Sequence, residues 1–321
     1  MPQYDDVALR VAIDLRDAYD ATMALWRQAH AAAGRLVWKT VRGRDYLYRT
    51  YGNAGNGSSL GPRSPETEVL YEQFRSDKAR IKEQLADTEP DLKRAAAMYV
   101  AAGLPVLDSW AAKLFQHLDR AELMGPAVFV VGTNAMPAYQ LEAQQRTGQR
   151  LHATRDTDIA WTALVGEEAR LWPSLREWDP SFVINSERPF QARGRAMREL
   201  DVLAAPSRIA AMSHEPFHPA ELPEQEWLLM GTPLRHVVAS FDRTPCAIVV
   251  PDPRYFALHK AWLARKPGRD PLKAPRDRRQ AETVWAWLAH MARYSIDAGF
   301  LRTLPDELAN IATTLIDSTV A

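Results

Sequence analysis

The chain has 321 residues, 46% hydrophobic and 25% charged, with 40 basic and 40 acidic side chains and no net charge. That length buries a sizeable core, and the balanced charge gives no global pull toward nucleic acid or a membrane surface. The single cysteine, Cys246, excludes an intrachain disulfide and suits a reducing compartment, and the opening MPQYDDVALR lacks the apolar segment of a signal peptide. No apolar run approaches the ~20 residues that span a bilayer, so a cytoplasmic protein without membrane contact is expected.

Residues 4–33 carry Val7, Val11, Leu15, Ala18, Leu25 and Trp26 at helical spacing and stop at Gly34. DYLYRTYG, 45–52, has the aromatic content of a short strand, and the glycine-rich 52–62 that follows is expected to be a loop. It has no Lys-Ser/Thr and so is not a P-loop. Ser64 and Pro65 are suited to the cap and first position of the next helix. Helical patterns fill about 66–86 and 89–120, with a break at Gly103-Leu104-Pro105.

Near residue 125 the character changes. PAVFVVG, 126–132, is a buried-strand run, followed by the helical NAMPAYQLEAQQRTG. TRDTDIAW, FVIN (182–185), RAMRELDVLAAP (195–206), PLRHVVAS and PCAIVVPD supply further strand-like segments, and from 254 onward the pattern is helical. The expected fold class is α+β: a helical region over 1–122, a mixed sheet over 123–253 and a helical region over 254–321.

Asp156 and Asp158 stand two apart before Ile159-Ala160-Trp161, and on a strand they share a face. Paired carboxylates need a cation or a shared proton, and hard oxygen donors without a His/Cys cluster favour Mg²⁺ or Mn²⁺. Solvated aspartates in a polar loop are the alternative. Gly132-Thr133, between a strand and a helix, either forms a phosphate-binding turn or simply caps the helix. Asp201 in ELDVL is a charge among apolar residues, costly without a partner unless the strand has a wet face. Between 254 and 282 nine Arg and Lys face only Asp270, Asp277 and Glu282, a surplus suited to polyphosphate or RNA, or else a solvated helix face. Arg63 is expected at the surface, and His214 and His218 in a loop, since Pro216 lies between them.

Taken together, strand, Gly-Thr, helix, Asp-x-Asp on the next strand and one Asp on a later strand resemble the nucleotidyltransferase fold shared with DNA polymerase β. The chain is similar to a prokaryotic group with that fold and, more distantly, to nucleotidyltransferase toxins of abortive-infection systems. The resemblance implies that Gly132 and Thr133 hold nucleotide phosphates and that Asp156, Asp158 and Asp201 hold two divalent ions. Lys260 and Arg276, in the basic helical segment, are then nucleotide-binding positions. It implies transfer of NMP from a nucleoside triphosphate to an acceptor hydroxyl on RNA, protein or a small molecule, in a toxin or defence setting among others. Two rivals stay open: a non-catalytic nucleotide- or partner-binding module, and a metal-dependent Asp-x-Asp glycosyltransferase.

Overall fold

The computed structural model describes residues 3–51, 57–146, 156–165 and 170–320, without the side chains of Asp156, Ala196 and 318–320. The chain divides into two compact units, one of residues 17–94 and one of residues 1–16 with 95–321.

Helix α1 (Asp6–Ala31) ends before Gly34, whose φ of +90° suits the turn into β1 (Arg35–Val41). Arg42 and Gly43, both at positive φ, form a two-residue hairpin into β2 (Arg44–Thr50), pairing Trp38 with Leu47. The expected loop then departs from the sequence reading: residues Gly57–Pro62 form β3, antiparallel to β2. Its composition, GSSLGP, carries no strand signal, yet Gly57 is needed there because a Cβ would collide with the Arg49 carbonyl oxygen. Helix α2 (Pro65–Ala101) starts where Ser64 Oγ accepts from Thr67 N–H, and it runs on through Pro90. Gly103, at φ +68°, ends that helical run as expected.

The larger unit continues with β4 (Val106–Leu107), α3 (Ser109–Arg120), β5 (Val128–Val130), α4 (Met136–Glu142), β6 (Asp156–Trp161) and α5 (Leu171–Trp178). Next come β7 (Val183–Ile184), β8 (Gln191–Arg193), β9 (Glu199–Ala204), α6 (Pro206–Ile209) and β10 (Ala220–Glu221). Strands β11 (Leu234–Ser240) and β12 (Pro245–Val250) precede α7 (Pro253–Leu263), α8 (Ala274–Trp287), α9 (Ala298–Thr303) and α10 (Asp306–Val320). The strand expected over 195–206 is shorter because Met197, at φ +55°, closes a turn before β9 begins. Residues 171–178 and 191–193 are elements that the sequence pattern did not announce.

Six strands form a mixed sheet in the order β5-β6-β9-β8-β7, with β10 alongside β9, and three more form β12-β11-β4. This is the α+β arrangement expected, with mixed sheets and helices toward both ends. Strands β6 and β9 are parallel, whereas β5–β6 and β8–β9 are antiparallel. Along β9 burial alternates strictly: Leu200, Val202 and Ala204 enter the core while Glu199, Asp201 and Leu203 face the other way. Among the described residues, no helix is long and apolar enough to cross a membrane.

Asp252 sets the start of α7. It is fully buried, its Oδ1 accepts from Arg254 N–H at 2.9 Å, and its Oδ2 accepts from Arg254 Nη2 at 2.7 Å and Thr232 N–H at 3.0 Å. Gly231, at φ +78°, is excluded from carrying a Cβ by the same carboxylate. Asp252→Ala strands the Arg254 guanidinium and the Thr232 amide together, so a stability loss of about 3–5 kcal/mol is expected. A urea unfolding curve superimposable on wild type would contradict this role.

Candidate active site

The site begins at the end of β5. Gly132, at φ +67°, turns the chain out of the strand, and residues Gly132–Ala135 coil tightly into α4. The positive φ is one reason for glycine; the second is steric. A Cβ at this position would strike Asp158 Oδ2 and come within 3.3 Å of Asp158 Cγ. The glycine turn and the carboxylate therefore lie in van der Waals contact.

Asp158 on β6 is the register partner of Asp201 on β9. In a parallel pair such partners point to the same face about 4.8 Å apart, so the two carboxylates stand side by side. Gln191 on β8 is the next residue in the same row, in register with Asp201. Its Nε2 donates to Asp201 Oδ1 at 2.8 Å, and its own Oε1 accepts from Asn185 Nδ2 at 2.7 Å. Gln191 and Asn185 are buried, so this relay holds the Asp201 carboxylate in one orientation. Asp156 opens β6 opposite Glu199, and its side chain lies outside the described residues.

The facing wall comes from α7 and the segment after it. Phe256, His259, Lys260 and Leu263 recur at helical spacing and all line one cleft, of about 360 Å³. Gly132, Thr133, Asp158, Asp201, Lys260 and Arg276 line that same cleft, so the six anticipated side-chain or turn positions that the structure describes converge.

Their surroundings are specific. Lys260 Nζ donates to Asp277 Oδ1 at 2.8 Å, and Arg269 Nε donates to Asp277 Oδ2 at 2.8 Å. Burial draws the Lys260 ammonium below its usual range, with Asp277 and then Asp158 opposing that pull. Burial alone would raise the Asp277 carboxyl, yet Lys260 and Arg269 hold it below its ordinary value. Arg276 reaches the cleft with a buried Nε that has no hydrogen-bond partner. Thr133, also buried, accepts from Gln280 Nε2 at 3.1 Å, which leaves its own O–H as a donor.

The basic run divides. Arg254 is tied to Asp252, Lys260 and Arg269 to Asp277, and Lys266 to Glu224. Lys273 and Arg276 line the cleft with no acidic partner among the described residues. Arg63 pairs with Asp45 and Glu68 at the surface of the smaller unit, and His214 lies in a turn rather than a helix.

Sequence reasoning missed Gln191, Asp252 and His259. The Asp-Pro before an apolar helix signals the capping role of Asp252, and the 256-259-260-263 spacing signals a shared face for His259. His259 is buried, and burial lowers its pKa to about 3, with Lys260 adding to the effect. Its folded pKa thus lies below the unfolded value near 6.5. The unfolded chain then binds more protons, so stability falls as pH drops from about 6.5 toward 3, with a slope approaching 1.4 kcal/mol per unit. The urea midpoint of wild type is expected to fall more steeply between pH 6.5 and 4 than that of His259→Leu; parallel slopes would refute the assignment.

Among the described residues no group of three His, Cys, Asp or Glu is placed to hold a metal ion. Asp158 and Asp201 offer adjacent carboxylate oxygens, donors of the kind that fit a hard divalent cation. Residues 110–301 match the model of a family described as Nucleotidyltransferase. No curated protein and no solved structure matches the chain.

Proposed function

The chain belongs to this nucleotidyltransferase family, and from that premise we propose that the cleft transfers a nucleoside monophosphate from a nucleoside triphosphate to an acceptor hydroxyl. The observation that carries the reading is the contact of Gly132 with Asp158 while Asp158 stands in register with Asp201. It brings a phosphate-sized turn and two carboxylates to one point of one cleft. Asp158 and Asp201, joined by Asp156 from the start of β6, are the residues that would hold Mg²⁺ or Mn²⁺. Bound there, such ions supply charge stabilisation at the attacking and leaving oxygens of an in-line displacement.

The chain's own groups do the rest. Thr133 donates its hydroxyl hydrogen to a phosphate oxygen, and Arg276 and Lys273 neutralise the polyphosphate. Lys260, with three N–H donors and only one engaged by Asp277, keeps donors for the same anion. The acceptor oxygen bonds to the α-phosphorus, the bond from that phosphorus to the β-bridging oxygen breaks, and pyrophosphate leaves with the electron pair. The acceptor's proton passes to the Asp201 carboxylate, whose orientation Gln191 fixes.

Label supplied on the α-phosphate of each NTP is expected to move to RNA, protein or a small-molecule acceptor, with pyrophosphate released. EDTA should stop the transfer and Mg²⁺ or Mn²⁺ restore it. Asp158→Asn and Asp201→Asn should each lower the rate on the order of 10²–10³-fold. Gln191→Leu, as a positioning change, should lower kcat about 10–100-fold with KM little altered. Movement of γ-label instead, sugar transfer from a UDP-sugar, or transfer indifferent to EDTA would overturn the proposal.

A further inference from the structure

Several residues that line the cleft take no part in the chemistry above. Leu203 follows Asp201 on the same face of β9, two residues and so about 7 Å further along the strand. Leu228 packs in the same core cluster as Leu203, and both line the cleft. Phe256 and Leu263 of α7 line it too, and residues Pro223–Leu229, which include Leu228, pack against α7. These aliphatic and aromatic side chains line the cleft together with Lys260, which lies between Phe256 and Leu263 on α7, and with the Lys266–Glu224 pair.

Among the buried polar groups of this lining, His259 and Gln225 carry atoms without a hydrogen-bond partner. His259 is 4% exposed, and neither of its ring nitrogens has a hydrogen-bond partner. Gln225 is 3% exposed, and its Oε1 is likewise unpartnered. Both residues line the cleft. Leaving a buried polar group unsatisfied costs about 1–3 kcal/mol, and native chains pair more than roughly nine in ten such groups. Trp227 meets the His259 ring in an edge contact, with centroids 6.5 Å apart. The inventory matches a planar heteroaromatic ligand: apolar walls for its faces, one acceptor from Gln225, and from His259 a donor or an acceptor for its edge.

We propose that the part of the cleft beside His259 and Gln225 receives the nucleobase of the nucleoside triphosphate, with Leu203, Leu228 and Leu263 against its faces and His259 and Gln225 selecting it by its hydrogen-bonding edge. The assignment rests on the nucleotidyl-transfer reading and adds the residues that choose among the four triphosphates. A hydrocarbon pocket alone discriminates poorly between rings of similar size. Buried groups that lose a partner when the wrong base enters discriminate strongly. Because His259 stays neutral at physiological pH, its ring presents one donor and one acceptor rather than two donors.

Calorimetric titration of the full chain, in MgCl₂, with ATP, GTP, CTP, UTP and inorganic tripolyphosphate tests the assignment. At least one NTP should bind roughly tenfold or more tightly than tripolyphosphate and than the least favoured NTP. His259→Leu and Gln225→Leu should each erase most of that preference while tripolyphosphate affinity stays within about twofold, which also reports an intact fold. If tripolyphosphate binds and no NTP gains over it, or if both variants keep the wild-type preference, the base assignment fails alone. If neither NTP nor tripolyphosphate binds, the nucleotidyl-transfer reading fails and takes the base assignment with it.

Discussion

The absence of a side chain at Gly132 is the constraint on which the site turns. A single methyl group there would occupy the space of the Asp158 carboxylate, and the backbone would in addition have to hold an L-residue at positive φ. Because that space is kept open, the end of β5 and the face of β6 meet in van der Waals contact. The pairing of β6 with β9 then extends the arrangement sideways, from Asp158 to Asp201 and on to Gln191. Three neighbouring strands thus present three polar side chains in one row across an otherwise well-packed sheet. Backbone hydrogen bonding, the most rigid framework a protein has, sets their spacing.

The opposite wall is built on another principle. Five cationic side chains between 260 and 276 line the cleft, and three of them are tied to buried or nearly buried carboxylates, Asp277 and Glu224. Asp277 accepts from both Lys260 and Arg269, so two cations, one buried and one half-buried, share one anion and the wall keeps a net positive charge. Such a triad is poor evidence for stability, since desolvation offsets much of the attraction. Its value lies in geometry: it ties α7 to α8.

Much of this was legible in the residues and some of it was not. The Asp-x-Asp spacing, the Gly-Thr turn and the isolated Asp201 were visible because strand periodicity and charge placement are local properties of a sequence. That Asp158 and Asp201 are register partners depends on which strands pair, a long-range property that spacing along the chain does not encode. The surplus of arginine and lysine over 254–282 was plain, but its division into tethered and untethered cations was not. Glu224 and Asp252 are outside that stretch, and Asp277 gave no sign that it engages two cations. Strand β3 was hidden for another reason: GSSLGP has little strand propensity, and its pairing with β2 is fixed by the need for a bare glycine against Arg49. His259 lay in plain view on an apolar helix face and was passed over, since one histidine among hydrophobic neighbours carries no motif.

The topology of β6, β8 and β9 also bears on how the site comes into being. Strands β8 and β9 are antiparallel and separated by only a short turn, so Gln191 meets Asp201 through a contact close in sequence. The parallel pairing that sets Asp158 beside Asp201 must instead close a loop spanning residues 162–198, which carries a larger entropic cost. The carboxylate that Gln191 orients therefore belongs to a local hairpin, and its neighbour Asp158 comes from a strand distant in sequence. A chain that closes the hairpin first assembles its supporting amide before it brings two negative charges together, and so postpones their repulsion until the distant strand pairs.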